Sequence, residues 1–391
     1  MISPKLHAVL DALSAAGLAV APTALGWPRA LRAPLIAAGA GVAAYSLATR
    51  YRAEARGALT LDQHLALDVA QGLAFLAAGA SLRAPNDVRL ALAGYGAFSL
   101  AAAALTRPPK AERIDQQIAL PPNAIIPSRN DGLAGWVAPG VAYLRLGIVN
   151  VAFLGLKSAG DRGWVLVDAG LRGTASRIQR AAAQRFGPEA RPAAIVMTHG
   201  HFDHVGALAD LAREWNAPVY AHPSEMPYLN GTRSYPPGDA SVGGGFMAAL
   251  APFYPTAPTD VGDVLRPLPE SGEVPGAPGW QWLPTPGHSP GHVSLWRDAD
   301  RCLVAGDAVI TTGQESAYAV AMQRAEMHGP PAYFTPDWDA AGASVRSLAE
   351  LAPNILLSGH GRPAKGAAMT AALHKLAAEF DRIAVPHGRG R

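Results

Sequence analysis

Thr198-His199-Gly200-His201-Phe202-Asp203-His204 is the stretch on which the fold class turns. It places three imidazoles and a carboxylate at i, i+2, i+4 and i+5, a ligand density that packing alone does not explain. Imidazole and carboxylate donors suit zinc and similar divalent ions. The run follows Ala194–Met197, short and apolar enough for a buried strand. A turn at a strand end can aim His199 and His201 at one point and Asp203 and His204 at a neighbouring one. Gly200 and Gly206 leave room for that tight backbone path.

Working outward, short apolar runs alternate with helical patterns from Val141 onward. Tyr143–Leu156, Trp164–Val167, Pro218–Ala221, Leu295–Trp296, Leu303–Ala305 and Ile355–Leu357 read as strands. Thr174–Phe186, Ala207–Trp215, Ala340–Leu351 and Gly366–Ile383 read as helices. The pattern is α/β. Further chemistry stands where strands end: Val167-Asp168-Ala169-Gly170, Thr285-Pro286-Gly287-His288, Gly306-Asp307 and Ser358-Gly359-His360-Gly361.

With these five motifs in order, residues 141–365 resemble the metallo-β-lactamase superfamily. The resemblance implies an αββα sandwich of two similar halves and a dinuclear, metal-dependent hydrolase. It implies that His199, His201 and His288 bind one divalent ion, and that Asp203, His204 and His360 bind a second, with Asp307 bridging both. The expected ions are zinc, with iron or manganese as alternatives. Two such ions ionise a water near neutral pH and polarise a scissile carbonyl or phosphoryl oxygen. Asp203 is also a candidate catalytic proton acceptor. Asp168 is expected to fix the ligand loop by hydrogen bonds, and His292 to be a supporting hydrogen-bonding residue rather than a ligand.

The remaining histidines carry less. His222 and His328 read as structural, and His7, His64, His374 and His387 have no supporting constellation in the sequence. Residues 227–279, rich in Pro and Gly, form either a lid or a packed insertion. Phe246, Met247, Phe253 and Tyr254 are candidates for an apolar wall to substrate or for a surface that rests on the membrane. Gly243-Gly244-Gly245 is no phosphate loop, because the Lys-Ser/Thr that would follow is missing. The single cysteine, Cys302, excludes an intrachain disulfide and reads as a buried core thiol.

The chain is only 16% charged, below a typical soluble protein, and the deficit is uneven. Stretches 12–28, 33–49, 69–82 and 90–106 contain no Asp, Glu, Lys or Arg and are rich in Ala, Leu and Gly. Residues 1–106 are therefore expected to form a four-helix transmembrane bundle, followed by a Pro-rich linker over 107–140 and a catalytic domain over 141–391. Asp68 is expected near an aqueous interface. Lys5, Arg50, Arg52, Arg56, Arg107, Lys110 and Arg113 outnumber Arg29, Arg32, Arg83 and Arg89 on the other loops. That bias puts both ends of the bundle, and the catalytic domain, on the cytoplasmic side of a bacterial inner membrane.

The basic excess sits in this first part. Residues 1–113 hold 11 Lys and Arg against 6 Asp and Glu, and the rest of the chain is slightly acidic. No basic, aromatic-interleaved stripe flanks the motifs, so a nucleic-acid partner is not expected. The leading expectation is attack of metal-bound hydroxide on an ester, thioester or lactone-like carbonyl of a small, lipophilic substrate, next to membrane lipid. Lys365, Lys375 and Arg382 do not form a clear glutathione-binding motif. Cleavage of a lipid or nucleotide phosphodiester is the second reading, and a membrane sensor or transporter with a metal-binding ligand domain is the non-enzyme one.

Overall fold

The computed structural model describes residues 2–51, 59–106, 118–127 and 134–386. The positive charges at 52, 56, 107, 110 and 113, and His387, lie outside them. The chain divides into two units: residues 1–115 with Gly243–Leu250, and 116–242 with 251–391.

The first unit is helical: α1 (Pro4–Ala24), α2 (Arg29–Leu47), α3 (Leu61–Ser81) and α4 (Asn86–Leu105). Ser3 caps α1 by accepting from the Leu6 amide. Among the described residues, three of these helices, not the four expected, are long and apolar enough to cross a membrane. They are α1 and α2, each of mean hydropathy 1.3, and α4, of 1.5. Polar side chains explain the shortfall in α3, where Asp62, Gln63, His64, Asp68 and Gln71 occupy the first half. Asp68 is buried within the unit, with only 4% exposure. Helices α3 and α4 approach closely through glycine: a Cβ on Gly96 would stand 2.6 Å from the Gly72 carbonyl oxygen.

The second unit is a four-layer αββα sandwich. Its first sheet has seven strands: β1 (Gly135–Ala138), β2 (Val141–Leu146), β3 (Val149–Leu154), β4 (Val165–Val167), β5 (Ala194–Val196), β6 (Val219–Ala221) and β7 (Leu265–Pro267), adjacent in that order. Pairing is antiparallel from β1 to β4 and parallel from β4 to β7. The second sheet runs β8 (Gln281–Pro284), β9 (Val293–Arg297), β10 (Cys302–Gly306), β11 (Ile355–Ser358) and β12 (Ala364–Lys365). Only the β10–β11 pair is parallel.

Strand alternation builds the layers. Val165, Val167, Ala194 and Val196 face inward with Val293, Leu295, Cys302 and Val304 of the other sheet. Their neighbours Leu166 and Ile195 face outward, against Ile178 and Leu211 from the helices at Ala175–Phe186 and Leu208–Trp215. On the far side, Leu303, Ala305 and Leu356 meet Val345 and Leu373 from the helices at Trp338–Glu350 and Gly366–Ala378. Each fully buried aliphatic contributes roughly 1.5–3 kcal/mol.

Three sequence expectations are corrected. Tyr143–Leu156 is a hairpin rather than one strand, because Gly147 turns the chain at a φ of +70°. Part of the expected linker belongs to the sandwich: Ile118, Leu120, Ala124 and Ile125 enter the second core, and 135–138 is a strand. The prolines there open a short 3-10 turn at Pro122–Ala124. The expected loop 227–279 is divided, since Gly243–Leu250 belongs to the helical unit, where Phe246 packs by Leu61 and Leu65. Phe253 is 83% exposed.

Burial, with the charge of Asp300, pushes the Cys302 thiol up to about 12. The native protein at pH 8 should therefore not react with DTNB, and one thiol per chain should titrate after denaturation. Rapid labelling of folded protein would contradict this packing.

Candidate metal centre

Every ligand candidate leaves the end of a strand. His199 to His204 follow β5, Asp168 follows β4, His288 follows β8, Asp307 follows β10 and His360 follows β11. One edge of the sandwich thus gathers all of them, and all are buried.

Their donor atoms converge in three overlapping groups: His199 with His201 and His288, His199 with His204 and Asp307, and Asp203 with His204 and His360. Asp307 lies between the outer two. Its Oδ2 is 3.0 Å from His360 Nε2 and 3.4 Å from His288 Nε2, and its Oδ1 is 3.5 Å from His204 Nε2. Asp203 Oδ2 is 3.5 Å from His360 Nε2.

The outer ring nitrogens decide which way the lone pairs point. His204 Nδ1 donates to Asp168 Oδ2 at 2.8 Å, and His360 Nδ1 to the Ile148 carbonyl at 2.7 Å. Thr198 spends its hydroxyl proton on Asp168, so it accepts from His199 Nδ1 at 3.0 Å. Thr335 spends its own on the Pro331 carbonyl, and so accepts from His288 Nδ1 at 3.2 Å. With Nδ1 protonated in all four, the neutral tautomer turns Nε2 inward. His199 Nε2, His204 Nε2 and Asp307 Oδ1 are buried without a hydrogen-bond partner. Orphaned acceptors facing one point form a cradle for a cation, so the residues present fit a divalent metal.

The electrostatics divide the imidazoles into two sets. Burial, then repulsion among the imidazoles, holds His199 and His288 well below the usual histidine range, and burial brings His201 to about 3. These three are neutral, the form that binds metal. Burial opposes protonation of His204 too, but Asp307, Asp168 and Asp203 together raise it well above the ordinary value. Burial raises the Asp203 carboxyl, whereas the neighbouring histidines, against the effect of burial, hold Asp307 well below the carboxylate range.

The supporting residues are specific. Asp168, in the left-handed region at a φ of +61°, accepts from the Thr198 amide and hydroxyl as well as from His204. His292 takes the Asp307 amide proton on Nε2 at 2.9 Å and faces Thr285 Oγ1 through Nδ1. His328 pairs with Glu326, away from this cluster, and His222 accepts from the Ser224 amide.

Sequence reasoning missed Glu225, Tyr235 and Asn150. Glu225 is fully buried and joins the two ligand loops. Its Oε1 accepts from Ser289 Oγ and the Gly291 amide, and its Oε2 from the Gly200 amide and the Tyr235 hydroxyl. Asn150 donates to the Ser358 and Gly361 carbonyls and accepts from neither, so it clamps the turn bearing His360 onto β3. No spacing rule marks these residues, because their partners are distant in sequence.

The family model of the metallo-β-lactamase superfamily matches residues 144–360. The chain belongs to that superfamily. The probable metallo-hydrolase YflN of Bacillus subtilis (strain 168) is 46% identical over 246 residues, 63% of this chain and 93% of the relative. The probable metallo-hydrolase YybB of the same organism is 30% identical, over 50% of this chain and 74% of the relative. Among solved structures, TTHA1623 in a di-iron-bound form is 28% identical, with 59% of this chain and 94% of that one covered and a TM-score of 0.37. This metallo-β-lactamase-fold protein is a metal-dependent hydrolase.

Glu225→Gln turns one acceptor oxygen into a donor facing two donors, which costs about 1–3 kcal/mol of buried pairing. We expect metal affinity, measured by competition with a chromophoric chelator, to fall roughly 10–100-fold with the fold retained by circular dichroism. Unchanged affinity would remove Glu225 from the support of the centre.

Proposed function

We propose that the chain is a membrane-tethered dinuclear hydrolase acting on an ester, thioester or lactone-like carbonyl of a small molecule with an apolar part. The observation that carries this reading is the double cradle around Asp307, where buried histidine and aspartate donor atoms converge in overlapping groups. His199, His201 and His288 would hold one divalent ion and Asp203, His204 and His360 the other, with Asp307 between them. The imidazole-rich set favours zinc among such ions. When bound, the pair supplies an ionised water near neutral pH and an electrophile for the scissile carbonyl oxygen.

The chain's own groups do the rest. With His199, His201 and His288 neutral, Asp307 would be the carboxylate that both ions share. Asp203, whose carboxyl is raised by burial, would take a proton and pass it to the leaving group. An aromatic wall supports an acyl substrate with an apolar portion. Phe334 stacks on the His201 ring at 4.7 Å, and Tyr254 lies 5.3 Å from Phe202 and 5.8 Å from Tyr333. The three apolar helices at the N-terminus would hold the enzyme at a lipid surface, where such substrates concentrate.

Purified full-length protein should hydrolyse p-nitrophenyl esters or thioesters in preference to bis-p-nitrophenyl phosphate. His201→Ala and Asp307→Ala should each abolish turnover, by roughly 10³-fold or more if the ions supply the nucleophile, while the protein stays in the membrane fraction. Turnover of the phosphate diester alone would replace the acyl reading with phosphodiester cleavage. Full activity in both variants would move the site elsewhere.

A further inference from the structure

We propose a second metal site inside the helical unit, formed by His7 and Asp11 of α1 with His64 and Asp68 of α3, that takes one divalent transition-metal ion such as Zn²⁺ and staples the two helices together. The four side chains are buried, at 0%, 6%, 0% and 4% exposure, and one donor atom from each lies within 4.8 Å of all the others. Both pairs share one spacing, His7-Ala-Val-Leu-Asp11 and His64-Leu-Ala-Leu-Asp68. On a helix, i and i+4 share a face, so each helix offers one imidazole and one carboxylate to the same point.

The hydrogen bonds around the cluster set its chemistry. Thr106 Oγ1 donates to the Ala102 carbonyl and Thr49 Oγ1 to the Tyr45 carbonyl, each at 2.6 Å. With that proton spent, each hydroxyl accepts from an imidazole: Thr106 from His7 Nδ1 at 2.5 Å, and Thr49 from His64 Nδ1 at 2.9 Å. Both rings therefore turn Nε2 inward. His7 Nε2 lies 2.8 Å from Asp68 Oδ2 and 3.4 Å from Asp11 Oδ1. His64 Nε2 lies 2.9 Å from Asp11 Oδ2 and 3.3 Å from Asp68 Oδ2. Yet His64 Nε2, fully buried, makes no hydrogen bond of good geometry with either oxygen. Tyr45 donates to Asp68 Oδ1 at 2.6 Å and Tyr51 to Asp11 Oδ2 at 2.7 Å, which orients both carboxylates.

Two neutral imidazoles, two carboxylates and one dication sum to zero charge, the balance a buried site in an apolar bundle requires. Four nitrogen and oxygen donors match a closed structural site, and the two imidazoles favour a transition ion over Mg²⁺ or Ca²⁺. The competing arrangement, two imidazoliums paired with two carboxylates, is also neutral and uses the same short contacts, so metal uptake is what separates the two.

The test uses the protein in detergent with the catalytic centre emptied by His199→Ala, His204→Ala and Asp307→Ala, which breaks all three of its donor groups, dialysed against Zn²⁺ and then against weak chelator. Elemental analysis should find about one equivalent of zinc per chain, as a closed four-ligand site holds. Cobalt substitution should give the absorption of a tetrahedral ion. Adding His7→Ala and His64→Ala should remove both signals, and zinc should raise the melting temperature of the emptied-centre protein but not of this variant. Should the latter fail to fold, the emptied-centre protein decides alone. Finding no zinc in it, with no thermal shift on zinc addition, overturns the proposal in favour of an ion-pair network. Zinc retained after both histidines are replaced overturns it as well.

Discussion

Asp307 sits where two sets of buried histidines meet, and its charge is the constraint around which the sandwich is arranged. Histidines on both sides keep it ionised although it is sealed from water, and a buried anion is costly unless compensated. The surrounding imidazoles compensate it unequally. Those of the first set are driven neutral by burial and mutual repulsion, while His204, beside Asp168 and Asp307, is drawn toward the charged form. A divalent ion would resolve the asymmetry by replacing the proton that His204 otherwise attracts.

The fold serves this arrangement through its loops. Neither sheet alone carries a complete ligand group at Asp307: His199 and His204 leave the first sheet, Asp307 and His360 the second. The two halves must therefore be held in register, and polar clamps do so. Glu225 ties the His199–His201 turn to the turn carrying His288, and Asn150 ties the turn of His360 to the first sheet. Each clamp is a buried side chain that bonds at least two backbone groups, so it fixes position with little conformational freedom. Space is equally restricted: a Cβ on Gly359 would fall 2.0 Å from Asp307 Oδ1.

The N-terminal helices apply the same device. Threonine hydroxyls, already committed to a carbonyl one turn back, fix the tautomer of His7 and His64 as Thr198 and Thr335 fix that of His199 and His288. A single hydroxyl proton is enough to aim an imidazole. For a ring buried as His7 and His64 are, a misdirected lone pair would go unsatisfied.

Much of the site was legible in the chain because its ligands are close together or follow a strand at once: His199, His201, Asp203 and His204 announce themselves by spacing, and His288, Asp307 and His360 by glycine-flanked strand ends. The apolar stretches likewise announced the N-terminal helices, although the polar half of α3 was hidden by taking only its uncharged end. Tertiary structure alone decided the rest. Glu225, Asn150 and the His7–Asp11–His64–Asp68 cluster gain meaning only from partners far away in sequence, and the segment 118–126 becomes core only when a sheet is there to receive it. Local chemistry fixes what a side chain can bind. Burial and the direction of its second hydrogen bond, both set by the fold, fix what it faces.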